Sequence, residues 1–96
     1  MGLQFEWDDE KAAINFKKHK VLFETAAKVF LDVNRVEIYD AAHSDQEDRF
    51  ITIGIAGDVL FVVYTERQAN IRLISARRAN EKERRIYYGN SDLYFA

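Results

Sequence analysis

Ninety-six residues, 48% of them hydrophobic and 31% charged, fit one globular domain over residues 1–96 and exclude wholesale disorder. The lack of any cysteine excludes a disulfide scaffold, a thiolate metal site and a Cys nucleophile, while four glycines and no proline leave no room for a flexible linker. Net charge is only −2, the longest apolar run (residues 59–64) is far below a membrane span, and Met1–Glu6 has no signal-like character; the expectation is a cytoplasmic protein without a membrane partner.

Leu3-Gln4-Phe5-Glu6-Trp7 alternates apolar and polar residues as a half-buried strand does. Asp8 is a candidate N-cap, with Asp9 and Glu10 in the first turn where the helix dipole favours carboxylates. Ala12, Ala13 and Phe16 give that helix its stripe, and it ends in the cations Lys17-Lys18-His19-Lys20. A second helix is predicted over 24–31, burying Ala26, Ala27, Val29 and Phe30. From Arg35 the period changes to two. Val36 and Ile38 read as a strand, and the polar stretch 43–48 follows. Ile51, Ile53 and Ile55 then line one face of a strand that carries Phe50, Thr52 and Gly54 on the other. Turn chemistry at Ala56-Gly57-Asp58 and near Gln68-Ala69-Asn70 separates further strands over 59–65 and 71–76. Asn80 and Glu83 have capping-box spacing for a closing helix through Tyr88, and 89–96 form a tail without usable period. The order predicts an α+β domain, with a mainly antiparallel sheet of four to five strands, two N-terminal helices and one C-terminal helix.

The charge is unevenly spread. Residues 1–48 carry 6 basic and 11 acidic side chains, whereas 67–85 carry seven basic and two acidic ones. Local positive charge, rather than the net value, sets the field that an anionic ligand meets. No phosphate-binding glycine loop and no metal-ligand spacing are present, so neither a cofactor nor a metal is expected. Arginines cluster at strand ends. Arg49 opens one strand, Arg67 closes the next and Arg77 closes the third, with Arg72 inside it. A hairpin meander puts Arg49 and Arg67 at one edge and Arg77 at the other. Such a basic, aromatic-bearing surface suits RNA cleavage by the ribose 2′-hydroxyl, which needs a base, an acid for the departing 5′-oxygen, and cations for the phosphoryl charge. His19 and His43 are the proton-transfer candidates, and Arg49, Arg67 and Arg77 the phosphate clamps. Glu47 and Glu66 stand in reserve as a base or as partners orienting an Arg. Lys17, Lys18, Lys20 and Arg72 would attract RNA, and Tyr64 or Tyr39 would stack a base.

Phe5-Glu6-Trp7-Asp8, Lys11, Asn15, Lys18-His19, Val21, Phe23-Glu24, Val29-Phe30 and Asp32 resemble the opening of the BrnT family of ribonuclease toxins. The likeness continues through His43, Glu47-Asp48-Arg49, Ile53-Gly54, the run 62–67, the run 71–77, Ala79, Glu83 and Tyr87, so it covers about residues 5–88. It implies a RelE-like fold, cleavage of cellular RNA that arrests growth, and neutralisation by a cognate ribbon-helix-helix, BrnA-like antitoxin. DNA would be bound only indirectly, through that antitoxin. Lys20 departs from the family pattern, which has glycine after Lys-His. Two other readings stay open: a catalytically inert binding module that holds the antitoxin for operon autoregulation, and a poison of another target.

Overall fold

A computed structural model describes residues 2–92 of the chain. Strand β1 (Phe5–Glu6) leads to helix α1 (Asp9–His19) and helix α2 (Phe23–Ala27), which tightens into a 3-10 turn over Lys28–Leu31. Strand β2 (Val36–Tyr39), a second 3-10 turn (Ala41–His43), strands β3 (Arg49–Ala56), β4 (Asp58–Arg67) and β5 (Asn70–Arg78), and helix α3 (Glu81–Asp92) follow. Helix α3 thus takes in part of the stretch read as a tail, and residues 93–96 lie outside the described residues. No described helix is long and apolar enough to cross a membrane.

The α+β class holds, with five strands in the order β1-β5-β4-β3-β2. Three ladders are antiparallel, but β1 runs parallel to β5, with Phe5 opposite Ile71 and Glu6 opposite Arg72. The sheet is therefore mixed, and the antiparallel and RelE-like descriptions hold only in outline. A two-residue strand whose partner lies 66 positions away leaves no local sign of its direction. Because β1 is so short, the rest of the β5 edge needs another cover. Asn15 supplies it: its buried amide donates to the Ala76 carbonyl (2.9 Å) and accepts from the Ala76 N–H (3.1 Å), as a neighbouring strand would.

Side-chain alternation divides the sheet. Leu60, Val62, Tyr64, Leu73 and Ala76 pack with Val21, Phe23, Ala26 and Val29 of the α1/α2 layer. On the opposite face Ile53 and Val59 pack with Tyr87 of α3. The helices therefore occupy both faces, with the closing helix covering the second. Gly54 makes the first layer possible, since a Cβ there would stand 2.8 Å from Val29 Cγ1 and 3.2 Å from an Asp32 oxygen. Asp32 ties the layers together by accepting from the N–H groups of Ile55 (2.8 Å) and Asn34 (2.9 Å) and from the Tyr87 hydroxyl (2.6 Å). Burial opposes its ionisation, but these hydrogen bonds outweigh that and hold its carboxyl below the usual range. Burial, with Asp32 adding to it, pushes the Tyr87 phenol up to about 12.

Asp8 caps α1 by accepting from the Lys11 N–H (3.0 Å), and Asn80 and Glu83 exchange the two hydrogen bonds of a capping box (2.9 and 2.8 Å) at α3. Lys20 ends α1 in the left-handed region (φ 61°), its N–H donating to the Phe16 carbonyl at 2.8 Å. That conformation strains any residue with a Cβ. Lys20→Gly is expected to stabilise the protein by about 0.5–1 kcal/mol in urea unfolding; a lower unfolding midpoint would show that the turn carries no such strain.

Candidate functional site

The end of β2, the start of β3 and the end of β4 meet at one edge of the sheet. Tyr39 lies opposite Phe50, and Arg49 opposite Thr65, two residues before Arg67. The intervening segment 40–48 is folded back on these strands by side-chain caps. Ser44 Oγ donates to the Asp40 carbonyl (2.6 Å) and accepts from the Arg49 N–H (2.9 Å), while the Asp40 N–H donates to the Arg49 carbonyl (2.9 Å). The buried Thr65 hydroxyl donates to the Asp48 carbonyl at 2.6 Å, fixing the far side of the loop to β4. The result is a solvent-open hollow of about 430 Å³ lined by His43, Asp45, Gln46, Glu47, Arg49 and Arg67.

Within the hollow the three side chains differ in how they are held. Arg67 is gripped by Glu47, Nε to one carboxylate oxygen (3.2 Å) and Nη2 to the other (3.3 Å), which leaves its Nη1 face open. Glu47 thereby orients an Arg. Arg49 makes no ion pair among the described residues. The His43 ring is largely exposed, with Nδ1 at 3.0 and 3.1 Å from the two Asp40 oxygens. An unpaired guanidinium, a second one held in place and an imidazole around one opening can hold a phosphodiester and move a proton beside it. Among the described residues, no three His, Asp or Glu side chains are grouped to hold a metal ion.

The other predicted site residues lie elsewhere. Arg77 is at the opposite end of β5, locked to Glu83 by two 2.8 Å hydrogen bonds and stacked over Phe61 at 4.1 Å. At that end of the sheet it lies away from the hollow, and α3 supplies the carboxylate that neutralises it. Arg72 is likewise paired with Glu6 at 2.8 Å, because β1 lays that acid beside it. Tyr64 cannot stack a base. It is 2% exposed, packed between Phe30 and Phe50, and its hydroxyl donates to Glu37; burial and that carboxylate raise its phenol far above the ordinary range. Tyr39, by contrast, is exposed at the surface beside Asp40. His19 and Lys18 line a separate cleft with Ile74 and Ser75 near Asn15, and Lys17 and Lys20 flank the same helix end. From Val62, opposite Ala76, to Arg67 is five residues of β4, ~17 Å at about 3.4 Å per residue, so the α1 terminus does not share the hollow.

Arg77→Ala is expected to cost about 1–3 kcal/mol of stability by stranding the mostly buried Glu83 carboxylate. Thermal melts of the two proteins check it. The acid side follows from Glu83, which the Arg77 hydrogen bonds hold below the carboxylate range. Its stabilisation is complete above the unfolded pKa, about 4–4.5, and is lost as pH falls through the lower folded value.

Asp40 and Ser44 belong to the site although the sequence reading did not single them out. The only sign was spacing: Asp40 and His43 are three apart, which brings side chains together once a 3-10 turn forms.

Residues 7–83 match the family model described as ribonuclease toxin, BrnT, of type II toxin-antitoxin system. No curated protein matches. Among solved structures the fold is similar to the 1.1 Å crystal structure of the Brucella abortus ribonuclease toxin BrnT, with a TM-score of 0.63 and 21% identity over 83% of this chain and 100% of that one.

Proposed function

The chain belongs to the BrnT family, the ribonuclease toxins of type II toxin–antitoxin systems, and from that premise we propose that it is a metal-independent endoribonuclease whose site is the hollow of His43, Arg49 and Arg67. Cleavage proceeds by attack of the 2′-hydroxyl on the adjacent phosphorus. His43 takes the hydroxyl proton, the O2′–P bond forms, and the P–O5′ bond breaks. The hollow is open, so the departing 5′-oxygen takes its proton from water. Arg49 and the free edge of Arg67 hold the non-bridging oxygens as charge builds on them. Of the two tyrosines that could stack a base, the exposed Tyr39 takes the role. The observation that carries this reading is that three side chains from three separate segments line one opening, one of them a guanidinium without an ion-pair partner among the described residues.

The toxin acts in the cytoplasm as a single domain, and its neutralising partner is a ribbon-helix-helix, BrnA-like antitoxin that covers these cations and carries the complex to DNA. Purified protein incubated with RNA in excess chelator tests the reading. Fragments ending in 2′,3′-cyclic phosphate are expected. RNA left intact at high protein concentration would overturn the nuclease and leave a module that only holds its antitoxin; three of the basic strand residues, Arg67, Arg72 and Arg77, already sit on carboxylates of the same chain.

A further inference from the structure

We propose that Asp40 is a positioning residue for the cleavage reaction, holding His43 as the Nδ1–H tautomer so that the Nε2 lone pair is the one that takes the 2′-hydroxyl proton. This rests on the nuclease reading of the hollow. A carboxylate only accepts hydrogen bonds, so the ring nitrogen 3.0–3.1 Å from both Asp40 oxygens carries the hydrogen. In a neutral imidazole the other nitrogen is then the base. The pair is asymmetric in a useful way: the His43 side chain is 68% exposed and that of Asp40 15%, so the ring reaches outward from an inward carboxylate. Asp40 is also the better anchored of the two. Its N–H donates to the Arg49 carbonyl (2.9 Å) and its carbonyl accepts from Ser44 Oγ (2.6 Å), which fixes it to the end of the β2–β3 ladder. His43 sits on a single 3-10 turn that begins at the next residue, and without the carboxylate its ring is free to rotate.

In the reaction the proton leaves the 2′-oxygen for Nε2 as the O2′–P bond forms and the P–O5′ bond breaks. The imidazolium so formed faces Asp40 and returns its proton to water afterwards. Asp40 touches neither RNA nor the reacting atoms, so its removal lowers kcat and leaves KM unchanged.

Two measurements on the intact protein test this. At alkaline pH, ¹⁵N shifts are expected to show His43 as the Nδ1–H tautomer, and Asp40→Ala to move it towards Nε2–H. Asp40→Ala is expected to lower kcat by about 10–100-fold. Asp40→Asn keeps the shape of the side chain but can donate its amide N–H to a bare Nδ1, so it should also move the ring towards Nε2–H and lower kcat, and it serves if the alanine variant folds poorly. An Nε2–H tautomer in the wild type, an unchanged kcat in folded Asp40→Ala, or a loss confined to KM would overturn the assignment. No cleavage by the wild type, with the Nδ1–H tautomer present, would instead overturn the nuclease reading and leave the Asp40–His43 pairing standing.

Discussion

Arg49→Ala is expected to slow RNA cleavage by about 10²–10³-fold, the usual effect of removing one preorganised donor to a developing oxyanion. Arg49 is the informative choice because its guanidinium has no ion-pair partner among the described residues, so its charge is available to the phosphoryl group. The same fact predicts little structural cost. What Arg49 contributes to the loop is its backbone, through the N–H bonded to Ser44 and the carbonyl bonded to Asp40, and alanine keeps both. Stability should change by no more than about 0.5 kcal/mol. Arg49→Lys should recover part of the rate, since it restores the charge without the planar fork. Wild-type cleavage by a folded Arg49→Ala protein would mean that the hollow does not bind the scissile phosphate. Expression in growing cells gives the parallel readout, with growth arrest lost in the alanine variant.

His43→Ala is expected to lower kcat by about 10²–10⁴-fold, the range for a positioned general base. The exposed ring packs against little, so the melting temperature should fall only by what Asp40 loses with its hydrogen-bond partner. Imidazole added to the buffer should restore part of the lost rate, because a small base can enter an opening left by the missing ring. His19→Ala is the matched control and should leave cleavage unchanged, since that residue lines a different cleft with Ile74 and Ser75. The reverse pattern, with cleavage dependent on His19 and indifferent to His43, would move the chemistry to the α1 terminus.

Much of the fold was legible because local rules decide it. The Asp8 cap, the Asn80–Glu83 box, the alternation along β3 and the two hairpin turns each depend on residues within a few positions of one another, and all of them form. The edge geometry of Arg49 and Arg67 followed from the meander in the same way. What a cation finds opposite it is a different matter. Arg72 and Arg77 look like phosphate ligands until β1 lays Glu6 against one and α3 turns Glu83 onto the other. Tyr64 looks like a stacking platform until α2 and its 3-10 turn bury it beside Phe30.

The sequence by itself determined the α+β class, the family likeness, and which side chains carry charge and can transfer protons, since composition and short-range spacing suffice for these. Only the tertiary structure decided which cations stay free and which are neutralised, because that depends on acids brought in from 6 and 66 positions away. It also decided that Asp40 stands behind His43. Folding chooses the partners of a charge, and an unpartnered charge is what a phosphate can use.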